Sequence, residues 1–280
     1  MLAELYDLFN YSFFVNALFS AILASVSCGI AGTYIVARRK VFIAGGITHA
    51  SFGGIGLGYF LGINPVTGGA AFGILSKLGI EFIAKKTEIR EDSAIGIIWS
   101  FGMALGIIFI FLTPGYAPNL MTYLFGNILT VSSRDIFYMF LLCLVLILFF
   151  TFFYRIILFI SFDEDYARSH KVPVQFFSYL LIVLVALVIV LNIRIAGIIL
   201  VISFLTIPQS TANLFTQDFR RIIFYAIIFG IAGSFLGLYI SFRTNLPSGA
   251  TIIFIFVIIY LLAWAFKALQ QLRNIRKQLQ

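Results

Sequence analysis

Charge is scarce in this chain: 11% of its 280 residues are Asp, Glu, Lys or Arg, against 61% hydrophobic. That shortage excludes a soluble domain, because no single core of this size could hide so much apolar surface from water. Cysteine is nearly absent, and the two present, Cys28 and Cys143, sit in separate apolar runs without a CxxC spacing. A disulfide framework and a thiolate zinc site are therefore excluded, and both cysteines are expected to pack or to face lipid. No GxxxxGK[ST] occurs, so the chain has no phosphate cradle for ATP. The net charge of +8 is not arranged as a basic stripe interleaved with exposed aromatics, which excludes nucleic acid as a partner. No acid, base and nucleophile candidates pair at comparable depth within the apolar runs, so an enzyme is not expected.

Long apolar runs are what the chain has in abundance. A helix needs about 20 apolar residues to cross ~30 Å of hydrocarbon. Nine such segments can be marked: 13–36, 41–62, 66–84, 93–112, 135–157, 173–192, 195–213, 222–241 and 250–266. Runs such as IIFIFVIIYLLAWAF (252–266) are apolar on every side, unlike the alternating strands of a β-barrel. The expected fold is an all-α, polytopic integral membrane protein with eight or nine transmembrane helices, one domain over 1–280. The first run is too long for a signal-peptide core and lacks a basic leader, so it reads as a retained span.

Basic residues orient the spans. With the ARRK cluster (37–40) in the cytoplasm, parity also places the basic residues of 85–90, 155, 168–171, 220–221 and the tail 267–277 there. Only Arg134, Arg194 and Arg243 fall outside, and Lys77 stays within the third span. The expectation is a multi-pass cell-membrane protein in the lipid bilayer, N-terminus outside and C-terminus cytoplasmic. Between the fourth and fifth spans, TPGYAPNLMTYLFGNILTVSSRD carries Pro114 and Pro118 as breakers before an apolar piece too short to cross. Residues 113–134 are therefore expected to form an outer re-entrant or interfacial segment.

Small residues recur every four positions along the second span: Gly46, Ala50, Gly54, Gly58 and Gly62. On a helix this spacing makes a smooth ridge that another backbone can approach closely. His49, with Thr48 beside it, projects next to that seam. An ionisable side chain at such depth needs a partner or water, so His49 reads either as a pathway or metal ligand or as an interhelical hydrogen-bonding group. One imidazole cannot fill a coordination sphere, so further ligands would have to come from other helices or another subunit.

A second polar row lies in VISFLTIPQSTANLF (201–215), where Ser203, Thr206, Gln209 or Ser210, and Asn213 share one helical face. Pro208 interrupts the hydrogen-bond ladder there. The row reads equally as a pathway wall or as a kinked packing helix held by side-chain hydrogen bonds. In FDEDYARSH (162–170), Asp163 is placed to cap a short helix beginning at Glu164, with Ala167 and Arg168 on its surface and His170 in solvent. Glu91 and Asp92 sit where a helix N-terminus favours negative charge.

The stretch VFIAGGITHASFGGIGLGYFLGINP (41–65) resembles the second helix of the permease subunits of ABC transporters for zinc, manganese and iron. EDSAIGIIWSFGMALG (91–106), LFGNILTVSSRD (124–135), SFDEDYARSHKVPV (161–174), GIILVISFLTIPQSTANLF (197–215) and LPSGATIIF (246–254) resemble further landmarks of that family in order. The resemblance implies a type II ABC importer-like permease that carries a divalent metal ion and has no permanently bound cofactor. It also implies a homodimer or a pairing with a related permease, cytoplasmic ABC ATPase subunits that bind ATP, and an extracytoplasmic metal-binding protein. His49 becomes a pathway ligand for the metal, with Thr48, Ser203, Thr206 and Gln209 as candidate walls. Residues 161–172, with Asp163, Glu164, Ala167 and Arg168, become the ATPase contact.

The chain departs from the family pattern at Gly45, where an aspartate usually stands one helical turn before the histidine, and at Asn245, where a second acidic residue is common. Losing a hard oxygen ligand disfavours manganese relative to softer metals. A permease for a metal chelate (a siderophore, haem or cobalamin) and an ATP-independent channel or carrier are the alternatives. The scarcity of intramembrane carboxylates weighs against ion coupling.

Overall fold

The computed structural model describes residues 11–114, 126 and 128–278. Its helices are α1 (Ser12–Ala37), α2 (Val41–Phe60), α3 (Pro65–Thr87), α4 (Glu91–Leu112), α5 (Ser133–Phe152), α6 (Tyr154–Phe162), α7 (Glu164–Ser169), α8 (Val174–Ala196), α9 (Ile198–Asn213), α10 (Phe219–Thr244) and α11 (Ser248–Gln278), with a short 3-10 turn at Ile128–Thr130. No strand occurs among the described residues. Polar residues at the ends set the boundaries. Asn64 accepts from the Val66 amide at 2.9 Å and is followed by Pro65, whose missing N–H is harmless in a first turn. Ser132 and Asp135 cap α5 reciprocally, and Asp218 accepts from the Arg221 amide at the start of α10.

Among the described residues eight helices are long and apolar enough to cross a membrane, and the protein is multi-pass. The shorter α9 has 16 residues, about 24 Å of helix. It still runs from one end of the bundle to the other. Gln175 at the start of α8 borders a cavity with Arg38 and Lys40, whereas Arg194 near its end borders another with Tyr59 and Asn64. Asn213, closing α9, returns to a cavity with Arg38. The reversal between α8 and α9 takes a single residue, Gly197, at φ 79° and ψ 164°, a conformation open to glycine and strained for other residues.

Two packing groups organise the bundle. α2 lies between α3 and α4, and α1 packs against α9, α10 and α5. Across them, Asn192 of α8 donates to Ser27 of α1 at 3.2 Å and to its own helix at Val188 O, 2.7 Å.

The structure corrects two expectations. The fifth span breaks at Phe153, where φ −103° and ψ 19° leave the helical region, and α6 begins after it. The Phe153 ring anchors the bend, 5.1 Å from Phe149 and 5.1 Å from Phe177 of α8. Ala167, expected on the surface of α7, is fully buried, because α7 rests that face on the bundle. For Cys28 and Cys143 the packing alternative is the one observed: both are buried and free, with Cys143 Sγ directed at the Leu23 carbonyl. Most of the outer segment 113–134 lies outside the described residues. Of its end, Ile128 and Val131 are buried, and Asn16 of α1 donates to the Val131 carbonyl at 3.4 Å.

Candidate functional site

His49 stands near the middle of α2, a helix whose neighbours come within backbone contact. A Cβ added to Gly54 would collide with the Gly68 carbonyl and reach within 2.5 Å of Phe72 Cβ on α3. On the α4 side, a Cβ on Gly102 would meet the Ala50 Cα at 2.5 Å. The four-residue ladder thus serves two contacts: Gly46 and Ala50 meet α4 at Ile95 and Gly102, whereas Gly54 and Gly58 meet α3 at Gly68 and Pro65. Gly62 lies beyond the helix in a left-handed turn, φ 68°, with open space around it.

This clamped helix fixes the imidazole. The His49 ring stacks on Trp99 of α4 with centroids 3.9 Å apart and planes 11° from parallel. Its Nδ1 is buried and has no hydrogen-bond partner. A buried nitrogen left unpaired is unusual, since such groups normally recover the bonds lost to water. Gly45, one turn earlier, faces the same indole: a Cβ there would lie 3.9 Å from Trp99 Cζ3, ordinary contact distance. The site therefore admits at least a Cβ at position 45, which this sequence does not supply. Trp99 is the member that sequence reasoning missed. Its signal was only its place in α4, two turns beyond the acidic first turn formed by Glu91 and Asp92.

The other candidates have partners for their donors, although Gln209 Oε1, like His49 Nδ1, is buried without one. Thr48 is fully buried and donates to the Ala44 carbonyl at 2.7 Å. Ser203 and Thr206 donate to Ile199 O and Ile202 O, each one turn back. Gln209 Nε2 donates to the Cys28 carbonyl of α1 at 2.7 Å and to the Phe204 carbonyl at 3.0 Å. The second bond has a simple cause: Phe204 is the i−4 residue that Pro208 cannot serve, having no N–H. Ser203 and Gln209 are buried, whereas Thr206 and Ser210 border a small cavity closed by Val257 and Tyr260 of α11. His49 lines neither this cavity nor the one between α3 and α8. Among the described residues no three His, Cys, Asp or Glu side chains converge as a metal-binding group.

At the end of the bundle that carries the α1–α2 turn, α7 is tied to α1. Asp163 caps α7 by accepting from the Tyr166 amide at 2.9 Å. Glu164 forms an ion pair with Arg38 at 2.6 Å, and Arg38 also donates to the Ile160 carbonyl at 2.7 Å. Arg168 stays exposed and reaches Glu164 only at 3.8 Å. His170 is exposed, with Nδ1 3.0 Å from the Tyr166 carbonyl.

The pattern of the ABC 3 transport family matches residues 10–267. The chain belongs to that family. It is 38% identical over 267 residues to an uncharacterized membrane protein of Synechocystis, covering 95% of each chain. It is 35% identical over 271 residues to the manganese transport system membrane protein MntC of Listeria monocytogenes, covering 97% of this chain and 96% of that one. Among solved structures it superposes on PsaBC from Streptococcus pneumoniae with a TM-score of 0.88 and 34% identity, over 94% of this chain and 95% of that one. The fold is that of a type II importer-like permease of a metal ABC transporter. Such a subunit is not an enzyme, and ATP hydrolysis resides on a separate chain.

Proposed function

We propose that this permease carries a free divalent transition metal ion inward, handed over by an extracytoplasmic binding protein and driven by ATPase subunits bound at the α7 end. The observation that carries the reading is the half-buried imidazole of His49, with its buried Nδ1 unpartnered, in a chain whose relatives include proteins named for manganese transport. A neutral imidazole is a metal ligand as well as a hydrogen-bonding group. His49 acts as a transient ligand, and the remaining ligands come from a second copy of the chain or from water held by the ion. Manganese heads the substrate panel by relationship. Zinc and iron follow, because the missing carboxylate at position 45 leaves a softer site.

The basic end carrying Arg38, Arg39 and Lys40 faces the cytoplasm, with the N-terminus outside and the C-terminus inside. The ATPase subunits press on α7 through Asp163, Arg168 and the exposed face of that helix. The Arg38–Glu164 pair passes the displacement to α1, while buried Ala167 keeps α7 seated. The dimer then alternates between an outward state that admits the ion and an inward state that releases it. Thr206 is the polar-row member placed to line a path, since it borders open volume.

The test is ATP-dependent accumulation of manganese, zinc, iron and cobalt in vesicles that hold the permease, its ATPase and its binding protein. Uptake of one metal that collapses in His49→Ala supports the assignment. An active ATPase with no uptake of any free metal would point to a chelated substrate and reduce His49 to a packing residue.

A further inference from the structure

At the basic end a cavity of about 310 Å³ opens between α3 and α8, roofed by the α1–α2 turn and α7. Four cations line it, Arg38, Lys40, Lys77 and Arg168, against two carboxylates, Glu81 and Glu164. The pairing is uneven. Arg38 is held by Glu164 and Lys77 by Glu81. Arg168 has only its long contact to Glu164, and Lys40 has no carboxylate partner among the described residues. Burial, reinforced by Arg38 and Lys77, holds the Lys40 ammonium below the usual lysine range despite Glu91 and Glu164. Ser178 Oγ, also on the cavity wall, is buried without a hydrogen-bond partner.

Charge and hydrogen-bond accounting ask for the same guest: a group with negative charge and several acceptor oxygens. The surroundings say where it comes from. Leu75, Leu78 and Phe82, flanking Lys77 and Glu81 on α3, are exposed apolar side chains of a transmembrane helix, as are Phe176 and Tyr179 beside Gln175 and Ser178 on α8. The cavity mouth therefore lies among lipid-facing residues, at the end where basic pockets between helices receive anionic headgroups.

We propose that this cavity binds the phosphodiester headgroup of an anionic phospholipid, with Lys40, Arg168 and Ser178 as its principal contacts. The lipid's acyl chains lie over Leu78, Phe82 and Tyr179. Bound there, it bridges α3, α8 and the α1–α2 turn beside the Arg38–Glu164 pair, so lipid composition reaches the same contact that ties α7 to the bundle. The chemistry does not depend on which metal the permease carries.

The experiment titrates the full-length permease in neutral detergent with short-chain phosphatidylglycerol, short-chain phosphatidylcholine and inorganic phosphate, counting bound molecules by native mass spectrometry. Phosphatidylglycerol is expected to bind at least tenfold more tightly than phosphatidylcholine, a preference set by about 1 kcal/mol for each basic residue near the phosphate. Lys40→Gln and Arg168→Gln should each weaken it about fivefold. Ser178→Ala should weaken it less, and Lys86→Gln, an exposed charge at the same end that does not line the cavity, should leave it unchanged. Arg168 is exposed, so its variant keeps the test valid if Lys40→Gln fails to fold. Equal binding of the two lipids, or phosphatidylglycerol binding indifferent to all three cavity variants, overturns the proposal. Inorganic phosphate that binds with higher affinity than the lipid and displaces it would also overturn it, assigning the site to a soluble anion. Detergent abolishes sidedness, so a failed orientation, read separately by labelling Ser169→Cys in intact cells, leaves this result standing.

Discussion

α2 and α9 are both apolar helices that carry polar side chains at helical spacing, yet they differ in which group is left unmet. In α9 the hydroxyls of Ser203 and Thr206 return to carbonyls one turn back, and the Gln209 amide N–H groups reach α1 and repair the gap left by Pro208, leaving only the buried Gln209 Oε1 unpaired. In α2 the Thr48 hydroxyl is likewise spent on its own helix, but the adjacent imidazole is held flat against Trp99 with Nδ1 unpaired. A polar group whose bonds are met inside the protein explains itself by packing. An imidazole nitrogen that is rigidly positioned and unmet is in addition a metal ligand by type, and has capacity left for something that arrives.

The largest effect should come from the scaffold that makes α2 rigid. Gly54→Val drives a branched side chain into the Gly68 carbonyl and Phe72, where main chain cannot yield, and should destabilise the permease by more than about 3 kcal/mol. Little folded protein is expected by size-exclusion in detergent. A well-folded variant would mean that the α2–α3 contact is looser than drawn, and the rigidity argument for His49 would fail with it.

Next is His49→Ala. Metal uptake should drop at least about tenfold, as loss of a ligand commonly does, while thermal stability changes by no more than about 1 kcal/mol, the worth of one aromatic stack. Gln209→Leu should do the reverse. Removing the donor to two buried carbonyls should lower stability by about 1–3 kcal/mol, with uptake per folded molecule unchanged. The pair of variants sets function against packing directly. If Gln209→Leu abolished transport in fully folded protein, the contrast between the two helices would collapse.

Much of this was legible in the chain because it depends on local spacing. The apolar lengths located the spans, the four-residue ladder marked a close-packed helix, and Asp163 announced the start of α7. What stayed hidden depends on which residues meet across long stretches of chain. Gln209 finds Cys28 at a separation of 181 residues, and Arg38 finds Ile160 at 122. Trp99 carries no local mark of the histidine it stacks on. Ala167 was misread for a related reason: the capping pattern starts a helix without saying which face lies on the bundle. Phe153 breaks a span that contains neither proline nor glycine at that point, held by rings on α5 and α8. Periodicity within one helix cannot foretell that.

The smallest expected effect tests the boundary between the two behaviours. Thr206 resembles its neighbours in donating to a carbonyl one turn back, Ile202 O at 2.8 Å, yet it borders open volume with Ser210 and Tyr260. Thr206→Val keeps the shape and removes only the hydroxyl, and the Ile202 carbonyl keeps its ladder bond. Stability should therefore move by no more than about 0.5 kcal/mol. If the threonine oxygen touches the passing ion, the apparent affinity for metal should fall by up to about fivefold, one modest hydrogen bond's worth, with the maximal rate preserved. An unchanged uptake curve would assign the whole α9 row to packing and leave the path to be sought along α2 alone, on the side of His49 that Trp99 does not cover.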